Sequence, residues 1–142
     1  MPSLATLIPR FAAADARTRL ETLLDYSKKL PALPPELHDD RLDERHRVPE
    51  CQTPVYLWIA TPGGRVRIHA HVPPESPTVR GFISLLIRTL NDEPASAVAA
   101  VPDDLLDQLG LTETLGMNRT QGLSAILHRV KRGVRVAAAA EG

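Results

Sequence analysis

Cys51 is the only thiol in a chain of 142 residues. It stands where a reactive group is easily displayed: after Pro49 and Glu50, before Gln52, between a charged, proline-containing stretch and the apolar run Val55 to Ala60. That places it on a loop entering a strand, and loops held by rigid elements commonly carry reactive groups. As a thiolate it is a nucleophile towards sulfur. One thiol forms no intramolecular disulfide, and it cannot by itself build a zinc finger or hold an iron-sulfur cluster. The other use of a lone cysteine is as a small buried apolar side chain, and the residues alone leave both uses open. His46, between Arg45 and Arg47, can act as a base for Cys51, although a charged loop equally makes it a solvated side chain. His69 and His71 share one strand face at i, i+2 and can supply two metal ligands. No cysteine or carboxylate stands beside them to complete a site, so they read as solvated polar residues and no metal is expected. Neither a base nor an oxyanion site for a thiol hydrolase or peroxidase can be identified.

The elements that must position Cys51 follow from periodicity. Leu4, Leu7, Ile8 and Phe11 have helical spacing interrupted by Pro9, which predicts a short or broken helix and leaves residues 1–14 an undecided N-terminal segment. Leu20, Leu23 and Leu24 mark a helix from Asp15 to Lys29, ended by Pro31. Residues 31–50 contain four prolines and many charges and read as an extended surface loop. Val55 to Ala60, the turn Thr61-Pro62-Gly63-Gly64 and the alternating Arg65 to His71 predict a hairpin with one wet face. Ser76-Pro77 opens a helix with the stripe Val79, Phe82, Ile83, Leu86 and Leu90. Short helices are expected at Pro94 to Val101 and Asp103 to Leu109, the second closed by Gly110. A last helix is read with Asn118 and Gln121 as a capping box, Leu123, Ile126, Leu127, Val130 and Val134 as its stripe, and a basic end at Arg129, Lys131 and Arg132. The resulting fold class is α+β: a small antiparallel sheet with helices packed on one face, in a single domain 1–142 whose Ala-rich end, 137–142, is expected to fray.

Composition limits the partners. Hydrophobic residues are 43% and aromatics 4%, so the core is mainly aliphatic, and the 24% charged fraction is that of an ordinary globular chain. Lys+Arg and Asp+Glu both number 17, so no global field recruits nucleic acid or an anionic membrane, and recognition must be local. The apolar runs are far shorter than the roughly 20 residues of a membrane span. Leu4 to Ile8 is cut by Pro9 and Arg10 with no basic leader before it, which leads to an expected cytoplasmic location.

Four fragments then stand in order: Leu30-Pro31-Ala32-Leu33-Pro34; Arg47-Val48-Pro49-Glu50-Cys51-Gln52-Thr53-Pro54-Val55-Tyr56-Leu57; Val79-Arg80-Gly81-Phe82-Ile83; and Asn118-Arg119-Thr120-Gln121-Gly122-Leu123. Together, from about Asp15 to Arg135, they resemble the signature of SufE-type sulfur acceptors. The resemblance implies a SufE-like sandwich without a bound cofactor. It also implies that Cys51 accepts persulfide sulfur from a SufS-like, pyridoxal-phosphate-dependent cysteine desulfurase. The protein would stimulate that enzyme and relay the sulfur towards an iron-sulfur scaffold complex. Arg119 matches the family arginine and is implied to steady the sulfur anion, the plainer alternative being an ion pair with a loop carboxylate such as Glu113. Gln52 matches the residue after the family cysteine and can hydrogen-bond the loop. Gly81 and Gly122 match helix glycines, expected where backbones pack closely.

The chain departs from the family pattern at four places. Glu50 replaces a glycine, Pro54 a glutamine and Tyr56 a tryptophan, while Glu75-Ser76 stands for an acidic-Ser-Asp stretch. If the loop needs a left-handed backbone at position 50, glutamate stiffens it. Alternative readings are a paralogue serving another sulfur pathway and a non-catalytic regulator that docks on the desulfurase.

Overall fold

A computed structural model describes residues 3–38 and 43–141. Helix α1 (Leu4–Ala13) is capped by Ser3, whose Oγ accepts the Thr6 N–H at 3.2 Å. Pro9 lies inside α1 without breaking it, because it faces solvent while Leu4, Leu7 and Phe11 are buried, so the carbonyl deprived of its donor is left to water. Helix α2 (Ala16–Lys28) begins at Asp15, whose carboxylate accepts the Thr18 N–H at 2.8 Å, a bond that holds the Asp15 carboxyl below its ordinary range. The buried face of α2 is Arg19, Leu23 and Ser27, with Leu20 37% and Leu24 42% exposed. Of the three expected leucines, Leu23 thus faces the core as expected, while Leu20 and Leu24 are turned outward. The cause is Arg19, which lies inward to bond the carbonyls of Phe11, Ala12 and Gly110.

Short 3₁₀ turns at Pro35–Leu37 and Glu44–His46 interrupt the expected extended loop, of which residues 39–42 lie outside the described set. Strands β1 (Tyr56–Ala60) and β2 (Arg67–His71) form an antiparallel hairpin in which Tyr56 faces His71 and Trp58 faces His69. Its turn uses two left-handed glycines, Gly63 and Gly64. The outer edge of β2 is closed by the Asn91 side chain, which accepts the Ile68 N–H at 2.8 Å and donates to the Ile68 carbonyl at 3.2 Å. One face of the hairpin, with Leu57, Ile59, Ile68 and Ala70, belongs to the core. The other is not wet as expected. Tyr56 and Trp58 are buried, His69 and His71 are half-buried, and the His46 ring stacks on Trp58 at a centroid distance of 5.2 Å.

Helix α3 (Pro77–Leu90) buries nine residues and packs against α2, where Gly81 lets the backbones meet: a Cβ there would lie 2.2 Å from the Leu23 carbonyl oxygen. Helices α4 (Ala95–Ala99), α5 (Leu105–Gln108) and α6 (Leu111–Leu115) follow, α6 being absent from the sequence-based expectation. Gly110, left-handed at φ 73°, separates α5 from α6. Helix α7 (Met117–Glu141) starts one residue before Asn118, so Asn118 and Gln121 lie within its first turns and form no capping box. Its buried stripe is Thr120, Leu123, Ile126, Leu127, Val130 and Val134, and at Gly133 the missing Cβ leaves room for Ile59 of β1. Residues 137–141, expected to fray, continue the helix, with Glu141 accepting the Thr61 hydroxyl at 3.0 Å. The architecture is thus α+β, with α3 and α7 against one face of a two-stranded sheet. No helix among the described residues is long and apolar enough to cross a membrane.

Candidate functional site

Residues 48–55 form a loop pinned at its base. The Val48 N–H donates to the Val55 carbonyl at 2.9 Å, and both valines are fully buried. Two apolar anchors thus hold a polar tip of which Glu50, Gln52 and Pro54 are exposed. Cys51 is turned inward, 6% exposed, with its N–H donating to the Val48 carbonyl at 3.3 Å. Glu50 takes none of the left-handed conformations that glycine would permit; among described non-glycine residues only Asp92 has a positive φ. Glutamate in place of glycine is therefore unstrained, and its influence on the loop is through charge and size.

The thiol lies in a cleft of about 970 Å³ walled by the loop, the residues opening α3 (Glu75 to Val79) and the first turns of α7 (Asn118 to Leu123). Thr53 Oγ1 and Ser76 Oγ, 3.3 Å apart, tie the loop to the start of α3. Ser76 spends its hydroxyl here and makes no side-chain cap, although it stands at the cap position with Pro77 after it. The N-terminal turns of both helices line the cleft, and a helix N-terminus favours negative charge near it. Arg119 is the one guanidinium among the described lining residues, which also include the carboxylates of Glu50 and Glu75. It is exposed and makes no ion pair among the described residues. Its suggested partner Glu113 is instead 3.6 Å from Arg19.

The structure thus brings Cys51, Gln52 and Arg119 to one cleft. His46 does not line it, being stacked on Trp58 at the outer face of the hairpin. His69 is held below its ordinary pKa of 6.5, first by burial and then by the Arg67 charge, with Glu36 opposing. Among the described residues no group of three or more histidine, cysteine or carboxylate side chains is placed to hold a metal. Gly122 differs from the expectation of close packing: nothing lies within 4 Å of where its Cβ would be, and it forms part of the cleft wall. Thr53, Ser76 and Gly122 were not readable as site residues, because their roles come from two helix ends meeting a loop that is remote in sequence.

Comparison with known proteins agrees with this arrangement. Residues 5–134 match the SufE family, described as an Fe-S metabolism associated domain. A SufE-like protein of Mycobacterium tuberculosis is 40% identical over 135 residues, covering 94% of this chain and 92% of that protein. The sulfur acceptor protein CsdE of Escherichia coli is 31% identical over 105 residues, covering 73% and 68%. A solution structure of a protein from Thermus thermophilus superposes with a TM-score of 0.80 at 37% identity, covering 94% of each chain. With the cleft, the α+β frame and the matched residues in agreement, the chain belongs to the SufE family.

Proposed function

We propose that this protein is a sulfur acceptor that takes persulfide sulfur onto Cys51 from a pyridoxal-phosphate-dependent cysteine desulfurase, stimulates that enzyme and passes the sulfur on towards iron-sulfur cluster assembly. The observation that carries the reading is the position of the chain's single thiol, on a pinned loop that lines one cleft together with Arg119, a guanidinium without an ion pair among the described residues. The Cys51 thiolate attacks the outer sulfur of the donor persulfide. A bond forms from Cys51 Sγ to that sulfur, the donor S–S bond breaks, and the donor leaves as a thiolate with the electron pair, so the exchange needs no oxidant or reductant. Arg119 and the helix ends offset the negative charge carried by the attacking thiolate and then by the persulfide. Gln52, next to Cys51 in sequence and on the same cleft, offers its amide as a hydrogen-bonding group to the transferred sulfur. The lack of a second cysteine keeps the loaded sulfur from being released by an internal disulfide. Cys51 is almost covered at rest, so donor access requires the tip 49–54 to swing outward about its Val48–Val55 base.

The test is the rate of sulfide release by a cysteine desulfurase with free cysteine and a thiol reductant, with and without this protein. Wild type should accelerate it and Cys51→Ser should not. Full stimulation by the serine variant would replace this reading with that of a regulator that only docks.

A further inference from the structure

A second groove, of about 780 Å³, runs between α4 and the C-terminal half of α7. Its lining includes the short side chains Ala95, Ala99 and Ala125 together with Arg129, Arg132 and Arg135. The arginines are three residues apart on one helix, about 4.5 Å of axial rise between neighbours. Arg132 and Arg135 are exposed and take part in no ion pair among the described residues, in contrast to Lys131, which is bound to Asp103 at 2.9 Å. Arg129 donates to the Arg45 carbonyl at 3.0 Å and makes no ion pair among the described residues. Glu50 and Asp103 line the groove too, but with Asp103 held by Lys131 the three arginines still outnumber the remaining carboxylate, so in a chain of formal net charge +0 the groove carries a local positive field. Glu50 lines this groove and the Cys51 cleft alike, so the two adjoin at the loop.

We propose that the groove receives an acidic helical segment of the protein partner that exchanges sulfur with Cys51, an assignment that rests on the sulfur-transfer reading above. Carboxylates three and four residues apart on such a segment meet the guanidinium row, where planar, two-point bonding is available. The alanines let its backbone come close. A partner seated here reaches the Cys51 cleft past Glu50. Nucleic acid fits less well: no Phe, Tyr or Trp is among the described residues lining the groove, His128 being its one ring, and the three guanidiniums span only about 9 Å of one helix, a patch rather than a track for a phosphate chain.

The variant for the test is Arg132→Glu with Arg135→Glu in the full chain, chosen because both side chains are exposed and serve no described bond. Loading of Cys51 is measured from two donors, glutathione persulfide and a cysteine desulfurase supplied with cysteine, by intact mass. The double variant should load from the small donor at the wild-type rate and from the desulfurase at least tenfold more slowly, and the wild-type rate from the desulfurase should fall as salt is raised. A fluorescent alanine-based peptide with glutamates three and four residues apart should bind wild type and bind the double variant at least tenfold more weakly. Equal loading of both proteins by the desulfurase, or no binding of the peptide to wild type, overturns the proposal. Binding of a labelled oligothymidylate in place of the peptide overturns it in favour of nucleic acid. If neither donor loads wild-type Cys51, the sulfur-transfer reading fails by itself, and peptide binding still decides whether the groove takes an acidic segment.

Discussion

Arg19 and Arg119 put the same side chain to opposite uses. Arg19 is 7% exposed and makes four hydrogen bonds with its five N–H donors: it donates to the carbonyls of Phe11 at 2.8 Å, Ala12 at 3.0 Å and Gly110 at 3.2 Å, and to the Thr114 hydroxyl at 3.1 Å. It closes the C-terminal end of α1 and joins that end to the α5–α6 turn, where a Cβ on Gly110 would fall 2.4 Å from its Cζ. Arg119 is exposed at the rim of the Cys51 cleft with no ion pair among the described residues. A buried cation with most of its donors bonded belongs to the fold, and an exposed one on the wall of the cleft that a nucleophile lines is available to a ligand. Sequence position does not distinguish them, since both are arginines near the start of a helix.

The strongest way to break this contrast is to remove Arg19. Arg19→Ala removes four hydrogen bonds, of which those to the Phe11 and Gly110 carbonyls leave acceptors that still hold the Ala14 and Thr114 N–H groups, and a loss of roughly 3 kcal/mol is expected in urea unfolding. Sulfur loading per folded molecule should be unchanged; a loading defect with unaltered stability would put Arg19 in the reaction.

Two helix glycines sharpen the same division. Gly81→Ala drives a Cβ into the backbone of Leu23 and should cost about 2 kcal/mol as α2 and α3 are forced apart. Gly122→Ala meets open space and should stabilise by up to about 1 kcal/mol through helix propensity. Thermal unfolding of the pair checks this, and equal destabilisation by both would mean that the wall at Gly122 is closed.

Arg119→Ala is expected to change unfolding free energy by less than about 0.5 kcal/mol while slowing persulfide transfer about tenfold, with Arg119→Lys recovering most of the rate because the charge is retained. Lost stability with normal transfer would place Arg119 beside Arg19 as a structural residue.

The smallest effect lies on the outer face of the hairpin, remote from both arginines in role. The folded pKa of His69 is lowered below 6.5. The folded state therefore takes up a proton less readily than the unfolded chain, so stability is full above pH 6.5 and declines as pH falls from there towards the folded value. His69 is only half-buried, so the decline is small. His69→Gln should flatten it in unfolding measurements across pH 7.5 to 5 without altering transfer, and an unchanged slope would assign the pH dependence elsewhere.

Local chemistry made much of the fold legible. Ser76-Pro77 marked the start of α3, the two-residue alternation from Arg65 marked β2, and Gly110 marked a left-handed turn. The face of α2 was not legible from its leucines, because the inward position is decided by carbonyls of α1 and of the α5–α6 turn that Arg19 must reach. At the site, Cys51 stood out by its own position, Gln52 and Arg119 were named only through the resemblance to SufE-type motifs, and the structure brings the three to one cleft. The association of Thr53 with Ser76, the open space at Gly122 and the withdrawal of His46 onto Trp58 depend on packing between segments far apart in the chain.

The central claim is that Cys51 receives the sulfur. Its most direct test is the intact mass of the protein after reaction with a cysteine desulfurase and free cysteine, measured before and after reductant and followed by peptide mapping. The account predicts a reductant-sensitive gain of one or more sulfur atoms on the peptide containing Cys51 and no gain in Cys51→Ser. A wild-type protein that stays at its starting mass while the desulfurase turns over, or a gain that persists in Cys51→Ser, would contradict it.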